Sequence, residues 1–178
     1  MSRFTSVSPE AATGATAEVF AKITKAAGKV PNAYATIGSH TPAGLSAMLA
    51  ADAAVAAGSL SKPDVEAIKL AVSEAGGCDY CVAAHTMVGK MAGLKPEEMK
   101  QIRAGEATGA AQRDALVRFV RNVIRSSGTV DAAEVEAIRA AGYSETQIIE
   151  ALLAVTVITF TNLVNRVNDT TLDFPAVA

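Results

Sequence analysis

The stretch "LSKPDVEAIKLAVSEAGGCDYCVAAHTMVGKMAGL", residues 60–94, predicts two consecutive α-helices. Ser61 is a typical N-cap residue, and Asp64 follows it at the spacing of a capping box. Gly76 and Gly77 end the first helix, because glycine favours helix C-termini. A second helix is predicted from about Cys78 to Met91. The sequence therefore predicts a cysteine pair at the N-terminus of a helix that follows another helix.

The rest of the chain also predicts helices. Alanine is abundant, aromatic residues make up only 4%, and no strand-like alternation persists. Thr41 and Pro42 begin a helix that extends to Gly58, and Pro96 begins another. Later helices are predicted at 111–126, 131–141 and 145–168. We therefore expect an all-α protein that forms a single domain over residues 1–178.

Composition excludes several classes of protein. Half of the residues are hydrophobic, which excludes a disordered chain, and a net charge of −2 makes nucleic acid an unsuitable partner. The first residues lack the apolar core of a secretory signal. The longest apolar stretch, Ala151–Phe160, is too short to cross a bilayer, so no membrane association is expected. These features predict a cytoplasmic protein.

The C-terminal helix contains "IIEALLAVTVITFTNLV", residues 148–164, which is apolar on every face. Such a helix is normally buried on all sides. A chain of this size has little room for a fully buried helix, so we expect subunit contacts to cover it in a homo-oligomer. The polar residues near its end, Asn162, Asn165 and Asp169, are attributed to capping and subunit contacts.

Cys78, Cys81 and His85 are the residues best suited to chemistry. At about 100° per residue they lie within roughly a 60° arc of one helix. The helix N-terminus stabilises a thiolate through its unpaired N–H groups and its dipole. His85, one turn further on, can accept or return a proton near neutral pH. The three residues could therefore perform thiol redox chemistry.

Three other interpretations stay open at this point. Structural zinc usually has four ligands, and beyond this trio the chain offers only His40 or a carboxylate. His40 itself is interpreted as a loop residue before a helix cap. A thioredoxin site would require a strand before the cysteines, where the sequence predicts a helix. Alternatively, both thiols could simply fill core volume.

The spacing Glu66-x11-Cys78-x2-Cys81-x3-His85 resembles the signature of the AhpD-like branch of the carboxymuconolactone decarboxylase family. The likeness to its peroxidase-related members extends from "GKVPNAYATIGSHTPAGL" to "FTNLVNRVNDTTLDFP". One position differs: AhpD has a histidine just before the second cysteine, and this chain has Tyr80 there.

The resemblance implies an all-α AhpD-like fold, assembled into trimers or hexamers, that reduces hydroperoxides. Cys81 would be the attacking thiolate and Cys78 the resolving thiol, while Glu66 and His85 would relay protons. The reductant would be a lipoyl-bearing or other dithiol protein, and no cofactor or metal is implied. A decarboxylase-type lyase and a non-enzymatic metal-binding or redox-sensing module are the alternatives.

Glu66 fits this role less well by its helical pattern. Val65, Ile68, Val72 and Ala75 form the apolar stripe of its helix, while Glu66 lies on another side. The pattern alone therefore predicts a solvated Glu66, whereas the resemblance predicts that subunit packing covers it.

Overall fold

The computed structural model describes residues 2–177, and within this range the secondary structure consists of nine α-helices and no β-strand. The predicted all-α class is confirmed. The helices are α1 (Gly14–Ala27), α2 (Asn32–His40), α3 (Pro42–Ala56), α4 (Lys62–Ala75), α5 (Asp79–Met91), α6 (Pro96–Ala104), α7 (Ala111–Arg125), α8 (Ala132–Ala140) and α9 (Glu145–Asn168). The single domain over residues 1–178 stays a prediction.

Local capping explains why the helix starts were predictable. Thr41, Ser61 and Ser144 each accept a hydrogen bond from the backbone N–H of the third residue of the helix that follows. Such a bond satisfies one of the N–H groups that a helix start leaves unpaired. The predicted boundaries from residue 41 onward therefore agree with the structure to within two residues.

Helix α4 forms the centre of the larger hydrophobic core. It packs against α5, α6, α7 and α9, and every residue from Val65 to Ser73 is buried. The helical pattern alone predicted that Glu66 is solvated, and this prediction is wrong. Glu66, Lys69 and Ser73 are all buried. The apolar stripe identified one covered face, and neighbouring helices of the same chain, rather than the expected second subunit, cover the side on which Glu66 lies.

Helices α1, α2 and α3 form a smaller core against α9, around Phe20, Ile37, Leu45 and Val157. His40 is the last residue of α2, and its Nε2 atom lies 2.9 Å from the carbonyl oxygen of Thr5. The predicted loop position of His40 is therefore wrong, because Thr41 caps α3 directly and leaves no loop between the two helices.

Helix α9 is only partly buried. One face packs into the protein, whereas a stripe of large apolar side chains is exposed: Ile149, Leu153, Phe160, Leu163 and Val167. The predicted burial on all sides, which required subunit contacts, stays a prediction, because the single chain leaves this stripe exposed. We call these five residues the α9 stripe.

Among the helices of residues 2–177, α9 alone is long and apolar enough to cross a membrane. The stretch Ala151–Phe160, on which the sequence prediction was based, is shorter than the apolar part of this helix. This is weak evidence for a membrane helix, because a core helix passes the same test. The buried face of α9 also contains three asparagine side chains, Asn162, Asn165 and Asn168, which bond to other helices. The cytoplasmic location stays a prediction.

Candidate active site

The cysteine pair lies at a sharp turn between α4 and α5. Gly77 has a φ of +60°, in the left-handed region that favours glycine, and this turn reverses the chain after α4. Cys78 is the N-cap of α5 rather than its first helical residue, and its Sγ accepts the backbone N–H of Cys81 at 3.4 Å. The predicted placement at a helix N-terminus is confirmed, and Cys78 itself provides the cap.

The two thiols form a close, buried pair. Both cysteines are free, with only 2% of Cys78 and 3% of Cys81 exposed, and their sulfur atoms share a hydrogen bond at 2.8 Å. This bond lowers the pKa of Cys78 below its usual range, and the Cys81 N–H and the charge of Arg166 lower it further. The same bond, together with burial and the Cys78 charge, raises the pKa of Cys81. Of the two thiols, Cys78 is therefore the one that ionises more readily.

Glu66 and His85 meet beside the cysteines. His85 Nδ1 donates to Glu66 Oε2 at 2.8 Å, which joins α5 to α4. Glu66 also lies 3.6 Å from Lys69 Nζ, which in turn pairs with Asp52 at 2.7 Å. Burial raises the pKa of Glu66, but the bond from His85 and the charges of His85 and Lys69 together lower it below its usual value. Glu66 is therefore an ionised, buried partner that orients the His85 ring.

Helix α9 contributes a donor to the site that sequence reasoning missed. Asn165 Nδ2 donates to Cys81 Sγ at 3.2 Å, and Thr161 adjoins the same sulfur. Asn162 accepts a hydrogen bond from Ser73 Oγ at 3.3 Å, inside the core. The attribution of these two asparagines to capping and subunit contacts is therefore wrong, whereas Asp169 is the C-cap residue of α9. The available signal was a set of amides in an otherwise apolar helix, which must find buried partners.

Tyr80, between the two cysteines, bonds to the C-terminal segment. Its hydroxyl donates to Asp173 Oδ1 at 2.6 Å and accepts the backbone N–H of Ala33 at 3.2 Å. Burial and the bond to Asp173 raise the pKa of Tyr80 above its usual range. Tyr80 therefore stays protonated and cannot act as the base that a histidine at this position could be.

A cavity of about 250 Å³ opens at Cys81. We call it the Cys81 cavity, and His85 lines it as well, so the sulfur and the imidazole face one space. Most of its remaining wall is apolar or aromatic: Tyr34, Tyr80, Ala84, Met87, Val88 and Phe174. The arrangement can bring a small organic molecule against Cys81 with a proton donor nearby.

His40 takes no part in this arrangement, since its ring lies at Thr5. Within the part of the chain that the structure describes, no three His, Cys, Asp or Glu side chains are grouped in a way that could hold a metal ion. The structure does bring together the four predicted site residues Glu66, Cys78, Cys81 and His85.

Comparison with known protein families places this site in context. A sequence profile of the carboxymuconolactone decarboxylase family matches residues 42–121, the region that contains all four predicted site residues. A search of curated proteins finds no match.

Solved structures with the same fold include two peroxidase-related proteins. One is an alkylhydroperoxidase AhpD core protein from Ralstonia eutropha JMP134, with 24% identity and a TM-score of 0.86 over 97% of this chain and 92% of that chain. The other is from Silicibacter sp. TM1040, with 23% identity and a TM-score of 0.76 over 88% of this chain and 83% of that chain. The predicted AhpD-like fold is confirmed.

The debrominase Bmp8 has this fold too. A cysteine-to-alanine variant of Bmp8, in complex with 2,3,4-tribromopyrrole, has 19% identity and a TM-score of 0.76 over 97% of this chain and 94% of that chain. At these identities the likeness establishes the fold alone.

Proposed function

We propose, from the premise that this chain belongs to the carboxymuconolactone decarboxylase and AhpD-like family, that it is a thiol-dependent peroxidase that reduces organic hydroperoxides. One observation supports this most directly. Cys81 faces the Cys81 cavity together with His85, while a second thiol lies 2.8 Å from the Cys81 sulfur. A nucleophile, a proton donor and a resolving thiol are thus available around one bound substrate.

The first step is activation of Cys81. Its proton passes along the shared hydrogen bond to the Cys78 sulfur, which places the negative charge on Cys81. The Asn165 amide, 3.2 Å away, stabilises the Cys81 thiolate. The lower pKa of Cys78 is therefore compatible with attack by Cys81, because Cys78 serves first as the proton acceptor.

The second step breaks the O–O bond. The Cys81 thiolate attacks the terminal oxygen of the hydroperoxide and becomes a sulfenic acid, while the alkoxide leaves with a proton from His85. The ion pair with Glu66 holds His85 in position for this transfer. Cys78 then attacks the Cys81 sulfur and releases water, which leaves a Cys78–Cys81 disulfide.

The wall of the Cys81 cavity favours an organic substrate over hydrogen peroxide. Tyr34, Met87, Val88 and Phe174 present apolar surface next to the sulfur. Apolar surface of this kind gains free energy from contact with an alkyl or aryl group, which hydrogen peroxide lacks. We therefore propose alkyl or aryl hydroperoxides as the substrates.

The same cavity supports a second candidate, reductive dehalogenation of a small aromatic compound. The observation in its favour is an apolar, partly aromatic cavity at a thiol, in a fold that the debrominase Bmp8 shares. A thiolate would take the halogen from carbon, the carbon would gain a proton, and the second thiol would displace halide to form the disulfide. Halide release from a bromopyrrole would identify this reaction.

Intact-mass spectrometry after one equivalent of cumene hydroperoxide tests the peroxidase proposal. We expect the wild-type protein to lose two hydrogens, as a disulfide requires. The Cys78→Ser variant should gain one oxygen as a sulfenic acid, and Cys81→Ser should stay unchanged. Peroxide turnover by Cys81→Ser would contradict the proposal. Decarboxylation of a lactone that survives thiol alkylation would instead support the lyase alternative.

We also propose that the protein is a homo-oligomer, a trimer or hexamer, in which a second copy covers the α9 stripe. The stripe is apolar, uncharged and spaced as in paired helices, which makes it self-complementary. A soluble, cytoplasmic protein would be stabilised by covering such a surface.

A further inference from the structure

A second cavity, separate from the first, adjoins Cys78. It has a volume of about 310 Å³, and we call it the Cys78 cavity. Its wall comes from the end of α4, the start of α5, α6 and the C-terminal segment: Glu74, Gly77, Asp79, Arg103, Leu172 and Val177. No residue lines both cavities. The two sulfur atoms, although adjacent, therefore face different openings.

The C-terminal segment, residues 170–177, separates the two openings. Asp173 fixes it by accepting the Tyr80 hydroxyl at 2.6 Å and by pairing with Lys29 Nζ at 2.9 Å. Phe174 packs edge-on against the Tyr80 ring, 5.4 Å between ring centres, and lines the Cys81 cavity. Ala176 faces the Cys78 cavity instead. The segment thus forms a partition between the two cavities.

The two cavities also differ in chemistry. The Cys81 cavity is largely apolar, whereas the Cys78 cavity includes Glu74, Asp79 and Arg103, with Arg103 and Glu74 joined at 2.6 Å. A charged wall suits a polar molecule better than an alkyl hydroperoxide. The Cys78 cavity is therefore better suited to a polar occupant than to an alkyl hydroperoxide.

We propose that the Cys78 cavity binds the thiol reductant that restores the enzyme, so that oxidation and reduction occur through separate openings. The inference rests on the peroxidase function proposed above, which supplies the disulfide. It assigns Cys78 Sγ as the atom that the reductant attacks.

The exchange chemistry is consistent with attack at Cys78. A reductant thiolate displaces Cys81 as thiolate and forms a mixed disulfide with Cys78. The leaving Cys81 sulfur is then stabilised by the Asn165 amide, 3.2 Å away. A second thiol of the reductant then attacks the reductant's sulfur in the mixed disulfide, which releases the Cys78 thiolate. The protein recovers both thiols, and the reductant leaves as a disulfide.

Two exposed alanines allow the two openings to be blocked one at a time. Ala176 lines the Cys78 cavity and Ala27 lines the Cys81 cavity, so that phenylalanine at either position would fill one space. Ala133, exposed on α8, lines neither cavity and provides the matched control. All three changes enlarge an exposed side chain and should leave folding intact.

The test measures the two half-reactions separately by stopped flow. Reduction is followed with dithiothreitol on disulfide preformed by diamide, and oxidation with cumene hydroperoxide on the reduced protein. Ala176→Phe should slow reduction about 10-fold and leave oxidation unchanged, since exchange depends on access to the attacked sulfur. Ala27→Phe should do the reverse, and Ala133→Phe should change neither.

The proposal is overturned if Ala176→Phe leaves reduction unchanged, or if Ala27→Phe slows reduction as much as Ala176→Phe does. Failure of the peroxidase function has a different signature. In that case cumene hydroperoxide would not oxidise the wild-type protein, while the diamide disulfide would still show the effect of Ala176→Phe.

Discussion

Asn165 of α9 donates its side-chain amide to Cys81 Sγ at 3.2 Å, although the two residues belong to different helices and are 84 positions apart. Asn165 is 4% exposed, and its Oδ1 atom has no hydrogen-bond partner among the described residues. A buried amide that is only half satisfied costs stability. Its position at the sulfur indicates that it stabilises charge there.

Replacing Asn165 by leucine should therefore separate stability from activity. We expect Asn165→Leu to slow oxidation by cumene hydroperoxide about 10-fold to 100-fold, because hydrogen bonds to charged groups contribute ~1.5–3 kcal/mol. Thermal stability should stay equal or rise, because a half-satisfied amide is removed. Asn162→Leu is the matched control, since Asn162 bonds to Ser73 rather than to sulfur. An Asn165→Leu variant with the wild-type oxidation rate would contradict this role.

Glu66→Gln removes the charge that orients His85 and keeps the shape of the side chain. Oxidation should slow about 100-fold, the lower range for general acid–base catalysis. The folded-state pKa of Glu66 is lowered, so its contribution to stability is full above its ordinary value of 4.5 and is lost as pH falls through the folded value. The stability difference between wild type and Glu66→Gln, measured by urea unfolding, should therefore shrink in acid.

Asp64→Asn is the control for that measurement. Asp64 lies on the same helix and pairs with Arg113 at 2.9 Å, away from the cysteines. The Asp64→Asn variant should lose some stability and keep the wild-type oxidation rate. Equal rate losses in Asp64→Asn and Glu66→Gln would point to a general effect on α4 rather than to the His85 contact.

The cysteine pair should titrate in two widely separated steps. The pKa of Cys78 lies below its ordinary value of 9.0 and that of Cys81 above it. Ultraviolet thiolate absorbance should therefore show one equivalent forming below that value, and the second only above it. The oxidation rate should rise with the first step and then level off. Two equivalents that titrate together near the ordinary value would contradict the shared proton.

Local signals explain which parts of the fold the sequence could predict. Ser61, Ser144 and Pro42 determine helix starts through contacts within one turn, so the helix limits from residue 41 onward were readable. Glu66, Cys78, Cys81 and His85 were recognisable because their spacing lies within two adjacent helices. In both cases the deciding contacts are close in sequence.

Contacts between distant segments explain what was missed. Tyr80 and Asp173 are 93 positions apart, and neither residue type indicates that it would bond to the other. Lys69 on the central helix is buried because Asp52 of α3 pairs with it, which helical periodicity cannot indicate. The burial of Glu66, the Asn165 donor and the two separate cavities depend on packing of this kind.

Tyr80→Phe should loosen the C-terminal segment. The change leaves the Ala33 N–H without its acceptor and removes the bond to Asp173. We expect a loss of ~1–3 kcal/mol in unfolding free energy, the usual cost of an unsatisfied buried polar group. Carboxypeptidase should also digest residues after 170 faster than in wild type. Tyr143→Phe removes another buried tyrosine hydroxyl, which lies beside Asp64 rather than Asp173, and it should not change the digestion.

The α9 stripe gives the sharpest test of assembly. Leu163 is 60% exposed in the single chain, and a charged residue there would cost a monomer little, within about 0.5 kcal/mol for a surface position. In an oligomer that covers the stripe, the same charge would be buried without a partner and would disfavour association. Leu163→Glu should therefore convert a trimer or hexamer into monomers in light scattering, with little change in the helical signal of the monomer.

Lys100→Glu, on the exposed polar surface of α6, should leave the mass unchanged. A wild-type protein that is monomeric at micromolar concentration would contradict the assembly, and the α9 stripe would then need a different partner to cover it.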